Sequence, residues 1–405
     1  MKKFGLIGRK LSHSFSPAIH SLIGEYEYNL YPLEPDELEN FVKNTDLDGF
    51  NVTIPYKTDI IPFCASLSNR ARRIGSVNTV IRTPEGWHGD NTDYDGFLGM
   101  FRDVAEAFRG KKALVLGNGG ASRTVQAVLE DCSINYVVVS RSGQNNYNNL
   151  SLNADASLIV NTTPVGMYPE NGCSPIDLRL FPSCRLVLDL VYNPAKTALL
   201  LDAEELGIEA RGGLTMLAAQ GVGAGELFLG RSLPPTLSDS IRDSILRQTL
   251  NIVLIGMPGC GKSTVARILA EKTGRTVLDT DVLLRERAGM SIPEIFERFG
   301  ETEFRRLETE VLRDVTKESG KIIATGGGVV TIPENRHLIK QNSTCIFLDC
   351  PKEKLATDGR PLTAARGIDR LLADRLPLYR SWCDLTVKAD DLIECADAII
   401  QKLGL

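Results

Sequence analysis

The sequence predicts an α/β fold, and three observations carry that prediction. Its 405 residues exceed one ordinary core and imply roughly two to three domains. Short strand patterns alternate with helical ones along most of the chain. Two glycine-rich loops, LVLGNGGASR at 114–123 and IGMPGCGKST at 255–264, each stand between an apolar strand pattern and a helical pattern.

The elements follow in order. Over residues 1–100 the strand patterns KFGLIG, DGFNVTIP and VNTVIR are separated by helical stretches. From about 101 to 213 the strands become apolar throughout (ALVLG, YVVVS, LIVNTT, LVLDLV), which predicts a parallel sheet covered on both faces. The run GLTMLAAQGVGAGELF at 213–228 reads as a helix returning to the first segment, and GRSLPPTLSDS reads as a loop. The helical pattern DSIRDSILRQTL then leads without a linker into the strand NIVLI.

Composition narrows the function classes. With 43% hydrophobic and 24% charged residues the chain is an ordinary globular one. A formal charge of −5 offers no long-range attraction to nucleic acid or to an anionic membrane, so neither partner is expected. The opening MKKFGLIGRKLSHS turns polar after three apolar residues, so no secretory leader is expected, and no apolar run approaches a membrane span. Nine scattered cysteines without a C-x-x-C pair suggest a reduced cytoplasmic protein without structural zinc; the sequence leaves monomer and homodimer both open.

The second loop matches G-x-x-x-x-G-K-[ST] from Gly256 to Ser263. Backbone N–H groups from Gly259 to Thr264 would close on phosphate oxygens at a helix N-terminus, Cys260 serving as a small spacer beside Gly261. Lys262 supplies a cation to the outer phosphates, and the Ser263 hydroxyl can ligate Mg²⁺. This part therefore binds ATP or GTP. In the first loop Gly117, Gly119 and Gly120, followed by Ala121, form a dinucleotide-type turn, although Ser122 stands at the third fingerprint position. The next strand ends in VVVSRS, where Ser140 and Arg141 replace the acid that holds an unphosphorylated ribose. A guanidinium there favours NADP(H) over NAD.

The strings LSHSFSP, NVTIPYK, VNT, GDNTD, GNGGASR and GLTMLAAQ together resemble shikimate dehydrogenase over about residues 1–245. GMPGCGKST, LDTD, FRRLE, ATGGG, GRPL and PLYR together resemble shikimate kinase over about 250–405. The resemblance implies a two-lobed dehydrogenase followed by a P-loop kinase domain of the nucleoside monophosphate kinase type. Its substrate-binding domain would comprise 1–100 plus 214–245, its Rossmann NADP-binding domain 101–213, and the kinase domain 250–405. The implied reactions are reduction of 3-dehydroshikimate with NADPH and phosphorylation of shikimate at the 3-hydroxyl with Mg²⁺ and ATP.

Site roles follow from the same resemblance. Ser14 and Ser16 match the serines that bind the substrate carboxylate, with Phe15 where some relatives carry Lys. Lys57 and Asp93 match the catalytic pair; Asn51, Thr53, Asn78 and Gln220 would add substrate hydrogen bonds. Tyr192 and Gly213 would border the nicotinamide or the substrate cleft. In the kinase half Asp279 would support Mg²⁺ with Ser263, and Asp281 would accept the proton of the substrate hydroxyl beside Lys262. Arg305 and Arg380 would hold the carboxylate, Gly327 would allow close backbone approach, and Arg360 would cover the phosphates. Two departures stand out: the strand KIIATGGG lacks the acid of a Walker B strand, and Ala356 stands near the place of an adenine-stacking Arg.

Arg141→Ala is expected to move the NADPH to NADH preference about tenfold or more, since charge-assisted hydrogen bonds contribute about 1.5 to 3 kcal/mol each. Dissociation constants for both cofactors measure the shift, and an unchanged ratio removes Arg141 from cofactor recognition.

Overall fold

The computed structural model describes residues 1–11, 14–355 and 367–405, so Arg360 and Ala356 lie outside the described residues. Contacts partition the chain into two compact units. One comprises 1–167, 173–192 and 202–245, and the other comprises 168–172, 193–201 and 246–405. Among the described residues no helix is long and apolar enough to cross a membrane.

The first unit holds two sheets. Strands β1 (Lys3–Gly8), β2 (Glu27–Pro32), β3 (Gly49–Val52), β4 (Ser66–Leu67), β5 (Thr79–Thr83) and β6 (Gly86–Asp90) form a mixed sheet in the order β2-β1-β3-β5-β6-β4. β1 runs parallel to β2 and β3, whereas β5 is antiparallel to both β3 and β6. The antiparallel β5–β6 hairpin brings Asn78, just before it, beside the GDNTD turn that follows it.

The second sheet is wholly parallel: β7 (Lys112–Leu116), β8 (Asn135–Val139), β9 (Leu158–Asn161), β10 (Leu186–Asp189) and β11 (Glu209–Gly212), in the order β11-β10-β9-β7-β8. β9 and β10 are buried along their whole length, as their unbroken apolar runs require. The chain leaves β7 toward β8 and then returns to the other side of β7. That reversal opens a crevice at the carboxyl end of β7, where Gly117 begins the loop.

Helix Leu214–Leu229 packs against helix Asp93–Gly99 and helix Ser16–Ile23. Small residues permit the approach: a β-carbon on Gly96 would sit 2.8 Å from the Met216 carbonyl oxygen, and one on Gly221 would meet Ile19 at 2.6 Å. Gln220, on this helix, thereby reaches the first sheet.

The second unit contains a third parallel sheet: β12 (Asn251–Ile255), β13 (Val277–Asp279), β14 (Ile322–Ala324), β15 (Ser343–Asp349) and β16 (Leu385–Lys388), in the order β13-β14-β12-β15-β16. β12 is fully buried, and the order reverses at this strand too. Its loop runs into helix Lys262–Thr273, and β13 delivers the LDTD stretch beside it.

Candidate functional site

In the first unit, the end of β3 carries Thr53 and Lys57, and the turn after β6 carries Asp93. Lys57 Nζ donates to Asp93 Oδ2 at 2.6 Å, with the carboxylate almost buried and the ammonium partly exposed. Asp93 is the first residue of its helix, a favourable place for a negative charge, but its side chain does not cap that helix. It is instead held by Asn78, whose Nδ2 lies 3.0 Å from Asp93 Oδ1, 3.0 Å from Thr92 Oγ1 and 3.3 Å from Gln220 Oε1. Asn78 Oδ1 accepts from the Thr92 backbone N–H at 2.7 Å and the Thr79 hydroxyl at 3.1 Å, which fixes the amide's direction.

Ser14 and Ser16 sit at the start of helix Ser16–Ile23, the Ser16 N–H donating to Ser14 Oγ at 3.2 Å. Phe15 between them meets the Tyr192 ring at 5.7 Å between centroids, so Tyr192 does border the serine loop. Burial raises the Tyr192 phenol above its ordinary range and keeps it neutral.

Two of the expected site residues have internal roles in the structure. Asn51 spends its polar atoms inside the protein: Nδ2 donates to Thr79 Oγ1 and the Asn78 carbonyl, while Oδ1 accepts from Tyr28. It braces Asn78 from behind. Gly213 is required by packing, since a β-carbon there would run into the Leu190 carbonyl, and its N–H donates to Val191 O.

At the end of β7 the glycines divide by function. Gly117 has φ 103°, and a β-carbon would meet Thr162 Oγ1 at 2.8 Å, so the fold itself requires glycine there. Gly119 and Gly120 face open space, and Ala121 is exposed. No described residue demands a glycine at Gly119 or Gly120. Approach of a pyrophosphate to the N-terminus of helix Gly120–Asp131 does, and the residues therefore fit a dinucleotide. Ser122 is fully buried and accepts no role toward a ligand. Beyond β8, Ser140 anchors a turn through its N–H to Asn145 O, and Arg141 is exposed near Tyr147.

In the second unit, the buried Lys262 ammonium donates to the Gly256 and Met257 carbonyls at 2.9 and 3.0 Å. Gly259 and Gly261 take φ 86° and 87°, which turns successive backbone amides to one side, and Thr264 follows in the first helical turn. Cys260 is buried against Gly256, as a spacer should be. Ser263 Oγ donates to Asp279 Oδ2 at 2.6 Å. Asp279 Oδ1 caps the next helix by accepting from the Asp281 and Val282 N–H groups. A hydroxyl and a carboxylate held together beside the phosphate loop are a hard-oxygen donor set that fits Mg²⁺.

Asp281, Arg305, Glu308 and the glycine triplet converge on one point. A β-carbon on Gly326 would meet Asp281 Oδ1 at 2.9 Å, one on Gly327 would meet the Pro258 ring, and one on Gly328 would run into the Arg305 guanidinium. Arg305 is buried and donates to the buried Glu308 at 2.6 Å. Arg305 Nε and Glu308 Oε1 are buried without hydrogen-bond partners, a costly arrangement that a bound anion with hydroxyl groups would relieve. Burial holds the Asp281 carboxyl above the usual carboxylate range, with Lys262 opposing and Asp279 reinforcing the shift. Burial raises Glu308 as well, against the pull of Arg305.

Arg380 is exposed near the end of helix Ile368–Trp382, and the structure does not bring it to this point. Five residues turn a helix by about 140° beyond a full turn, so Arg380 and Arg375 face different sides. Arg375 is the buried one. It donates to Gly327 O at 3.1 Å, as Tyr379 also does, and burial followed by the neighbouring Arg305 lowers its guanidinium below the ordinary range. Two adjacent buried guanidiniums mark an anion pocket, and the helical phase of RLPLYR is the sequence signal that points to Arg375. Glu308, in FRRLE, is a further site residue that the motif reading passes over.

Each half of the chain matches known proteins separately. The shikimate dehydrogenase substrate binding domain family matches residues 6–80, and the shikimate kinase family matches 258–404. A shikimate dehydrogenase (NADP(+)) of Microcystis aeruginosa is 34% identical over 280 residues, covering 61% of this chain and 97% of that protein. One from Clostridium perfringens is 34% identical over 267 residues, covering 60% and 98%. Among solved structures, a chorismate mutase/shikimate 5-dehydrogenase fusion protein from Clostridium acetobutylicum has 36% identity and a TM-score of 0.58, over 60% of this chain and 97% of that one. Shikimate 5-dehydrogenase from Thermus thermophilus, in complex with NADP(H) and shikimate, has 32% identity and a TM-score of 0.55, over 60% and 99%.

Fold and site define an oxidoreductase joined to a P-loop kinase. The chain belongs to the shikimate dehydrogenase family over its first three-fifths and continues as a shikimate kinase domain, which makes it a bifunctional shikimate-pathway enzyme.

Arg375→Met is expected to raise the Michaelis constant for shikimate about tenfold or more, while Arg380→Met stays within about twofold. Steady-state kinase assays decide, and the reverse ranking would restore Arg380. A second expectation concerns pH. A base must be ionised, and burial favours the neutral acid, so kinase activity should fall on the acid side at a pH above about 3.9, the ordinary aspartate value. Arg285 favours the ionised form, so Arg285→Gln should move that limb to higher pH. A limb that stays in place shows that Asp281 does not govern it.

Proposed function

We propose that the first unit reduces the carbonyl of 3-dehydroshikimate to shikimate and that the second phosphorylates the 3-hydroxyl so formed. We assign the domains 1–100 with 214–245, 101–213 and 250–405, a division that three sheets spanning 3–90, 112–212 and 251–388 support, although contacts group 168–172 and 193–201 with the last of them. The observation that carries the reduction is the Lys57–Asp93 pair at 2.6 Å beside Asn78 and Gln220.

NADPH, when bound at the β7 loop, supplies the hydride. Carbonyl reduction then needs one proton on the developing alkoxide, and the Lys57 ammonium is placed to give it. Asp93 keeps that ammonium aimed, and Asn78 fixes Asp93. Ser14 and Ser16 offer hydroxyl donors to the substrate carboxylate, and Thr53 adds another nearby.

Mg²⁺, when bound with ATP beside Ser263 and Asp279, neutralises charge on the phosphates. The P-loop amides and Lys262 position the nucleotide. Asp281 orients the shikimate hydroxyl and accepts its proton, while Arg305 and Arg375 hold the carboxylate as guanidinium partners. Small molecules are the partners of both sites. Nine free cysteines suit a reducing compartment such as the cytoplasm.

Mass analysis after incubation with 3-dehydroshikimate, NADPH and Mg·ATP tests the whole scheme, with shikimate 3-phosphate as the expected product; failure to consume NADPH or to form the phosphate ester refutes the corresponding half. Separate variants test each half. Lys57→Ala is expected to lower reduction by about 100-fold or more and to leave phosphorylation of added shikimate unchanged. Asp281→Asn is expected to do the converse, retaining ATP affinity within a few-fold and accumulating shikimate in the coupled reaction.

A further inference from the structure

The turn that carries Asp93 hangs on two side chains. Asn78, already placed beside the catalytic pair, takes the Thr92 N–H and touches Asp93 itself. The other is Asp90, the last residue of β6, which is buried and stands three positions before Asp93. Its Oδ1 accepts from the Asn91 N–H at 2.7 Å, and its backbone carbonyl accepts from the Asn78 N–H at 3.0 Å. Asp90 thereby fixes the start of the turn and the backbone of Asn78 together.

A buried carboxylate needs a countercharge. Arg70, on the helix Asn69–Ile74, supplies it as a fork: Nε donates to Asp90 Oδ1 at 2.7 Å and Nη2 to Asp90 Oδ2 at 2.9 Å. Ser68 caps that helix by accepting from the Ala71 N–H at 3.1 Å, and its hydroxyl donates to Asp90 Oδ1. The third arm of the guanidinium, Nη1, donates to Asp95, which lies two residues past Asp93 in the first turn of helix Asp93–Gly99. One planar cation therefore grips the chain on either side of Asp93. With Asp90 and Asp95 both taken by Arg70, Lys57 pairs with the carboxylate between them.

We infer that Arg70 is a positioning residue for the reduction: by joining Asp90 to Asp95 it sets the angle at which Asp93 meets Lys57. The inference rests on the Lys57–Asp93 pair being the site of proton transfer. An exposed ion pair to Asp95 alone would contribute little. It matters here because the cation is already fixed on a buried carboxylate, so its third arm ties the helix to the end of the sheet. An ammonium presents a single point charge and cannot span both partners.

The test uses the full chain and follows reduction of 3-dehydroshikimate, with NADPH binding and thermal unfolding as checks on the fold. Arg70→Met keeps the aliphatic stem and removes the fork. It is expected to lower kcat about tenfold or more, with the Michaelis constant for 3-dehydroshikimate and the NADPH dissociation constant within about threefold, since small misplacements of a reacting group act on turnover. Arg70→Lys restores the charge without the fork and should stay about fivefold or more below the parent. Asp95→Ala frees only the third arm and should lower kcat about fivefold, whereas Asp95→Asn keeps an acceptor oxygen and should recover most of that loss. Parent-like kcat in Arg70→Met, Arg70→Lys or Asp95→Ala overturns the inference. An Asp95→Asn variant no better than Asp95→Ala also overturns it, because that result assigns Asp95 to the charge at its helix start. Equal losses of kcat and NADPH affinity would mark general loosening and overturn it as well. If Arg70→Met does not fold, the Asp95 pair decides alone. Full activity in Lys57→Ala would instead refute the underlying assignment of the catalytic pair.

Discussion

Close approach of backbone to phosphate, at the carboxyl end of a parallel strand where the sheet order reverses, is the constraint on which both nucleotide sites depend. It accounts for Gly119 and Gly120, which face open space, whereas packing alone requires glycine at Gly117, beside Thr162, and at Gly261, where a β-carbon would meet Leu392 at 2.7 Å. It also dictates the sheets. A parallel sheet buried on both faces must be apolar throughout its central strands, and β9, β10 and β12 are buried from end to end. Polar chemistry is thereby confined to the loops at one edge, and there the catalytic candidates collect.

The two substrate sites answer different electrostatic demands. Reduction starts from a neutral carbonyl and develops one transient negative charge, so one ion pair set among neutral amides and hydroxyls is sufficient. Phosphoryl transfer concentrates anions, and the second unit meets it with Lys262, Arg305 and Arg375, all buried and balanced by few carboxylates. Burying such cations without a partner is expensive, which is why Glu308 stands beside Arg305 and why Lys262 and Arg375 lean on backbone carbonyls. In the proposed scheme the same shikimate carboxylate is held by serine hydroxyls in the first site and by guanidinium groups in the second. Release from the first is favoured by the weaker, uncharged donors, and capture by the second is favoured by the charged ones.

Much of this is legible in the sequence because it is local. Strand, glycine loop and helix follow one another within about twenty residues in both nucleotide sites, and periodicity reports the burial of each strand. Side-chain direction is less legible. Arg375 and Arg380 stand five residues apart in one helix, and the choice between them turns on which face meets Gly327, a contact 48 residues away in sequence. Asn51 resembles a substrate ligand because it lies beside Thr53, yet its strand partner Thr79 and the distant Tyr28 occupy its polar atoms. Gly213 reads as part of a cleft, and its approach to Leu190 adds a packing reason for glycine that the sequence does not show.

The order of the two proposed reactions is fixed by one oxygen atom. The carbonyl oxygen of 3-dehydroshikimate carries no proton and cannot attack a phosphoryl group while leaving a neutral ester oxygen. It becomes a nucleophile only after the first site has added hydride to carbon and a proton to oxygen. Lys57 thus completes the hydroxyl at the same oxygen from which Asp281 takes a proton, so the second site has no work on 3-dehydroshikimate until the first has acted. Hydride transfer to a ketone is reversible, because the alcohol can return both hydrogens to the oxidised cofactor. Esterification of that same oxygen removes the O–H that the return reaction must deprotonate. Phosphorylation therefore draws the reduction forward by consuming its product at the atom where reversal would begin, and this coupling requires only that both activities share one pool of shikimate.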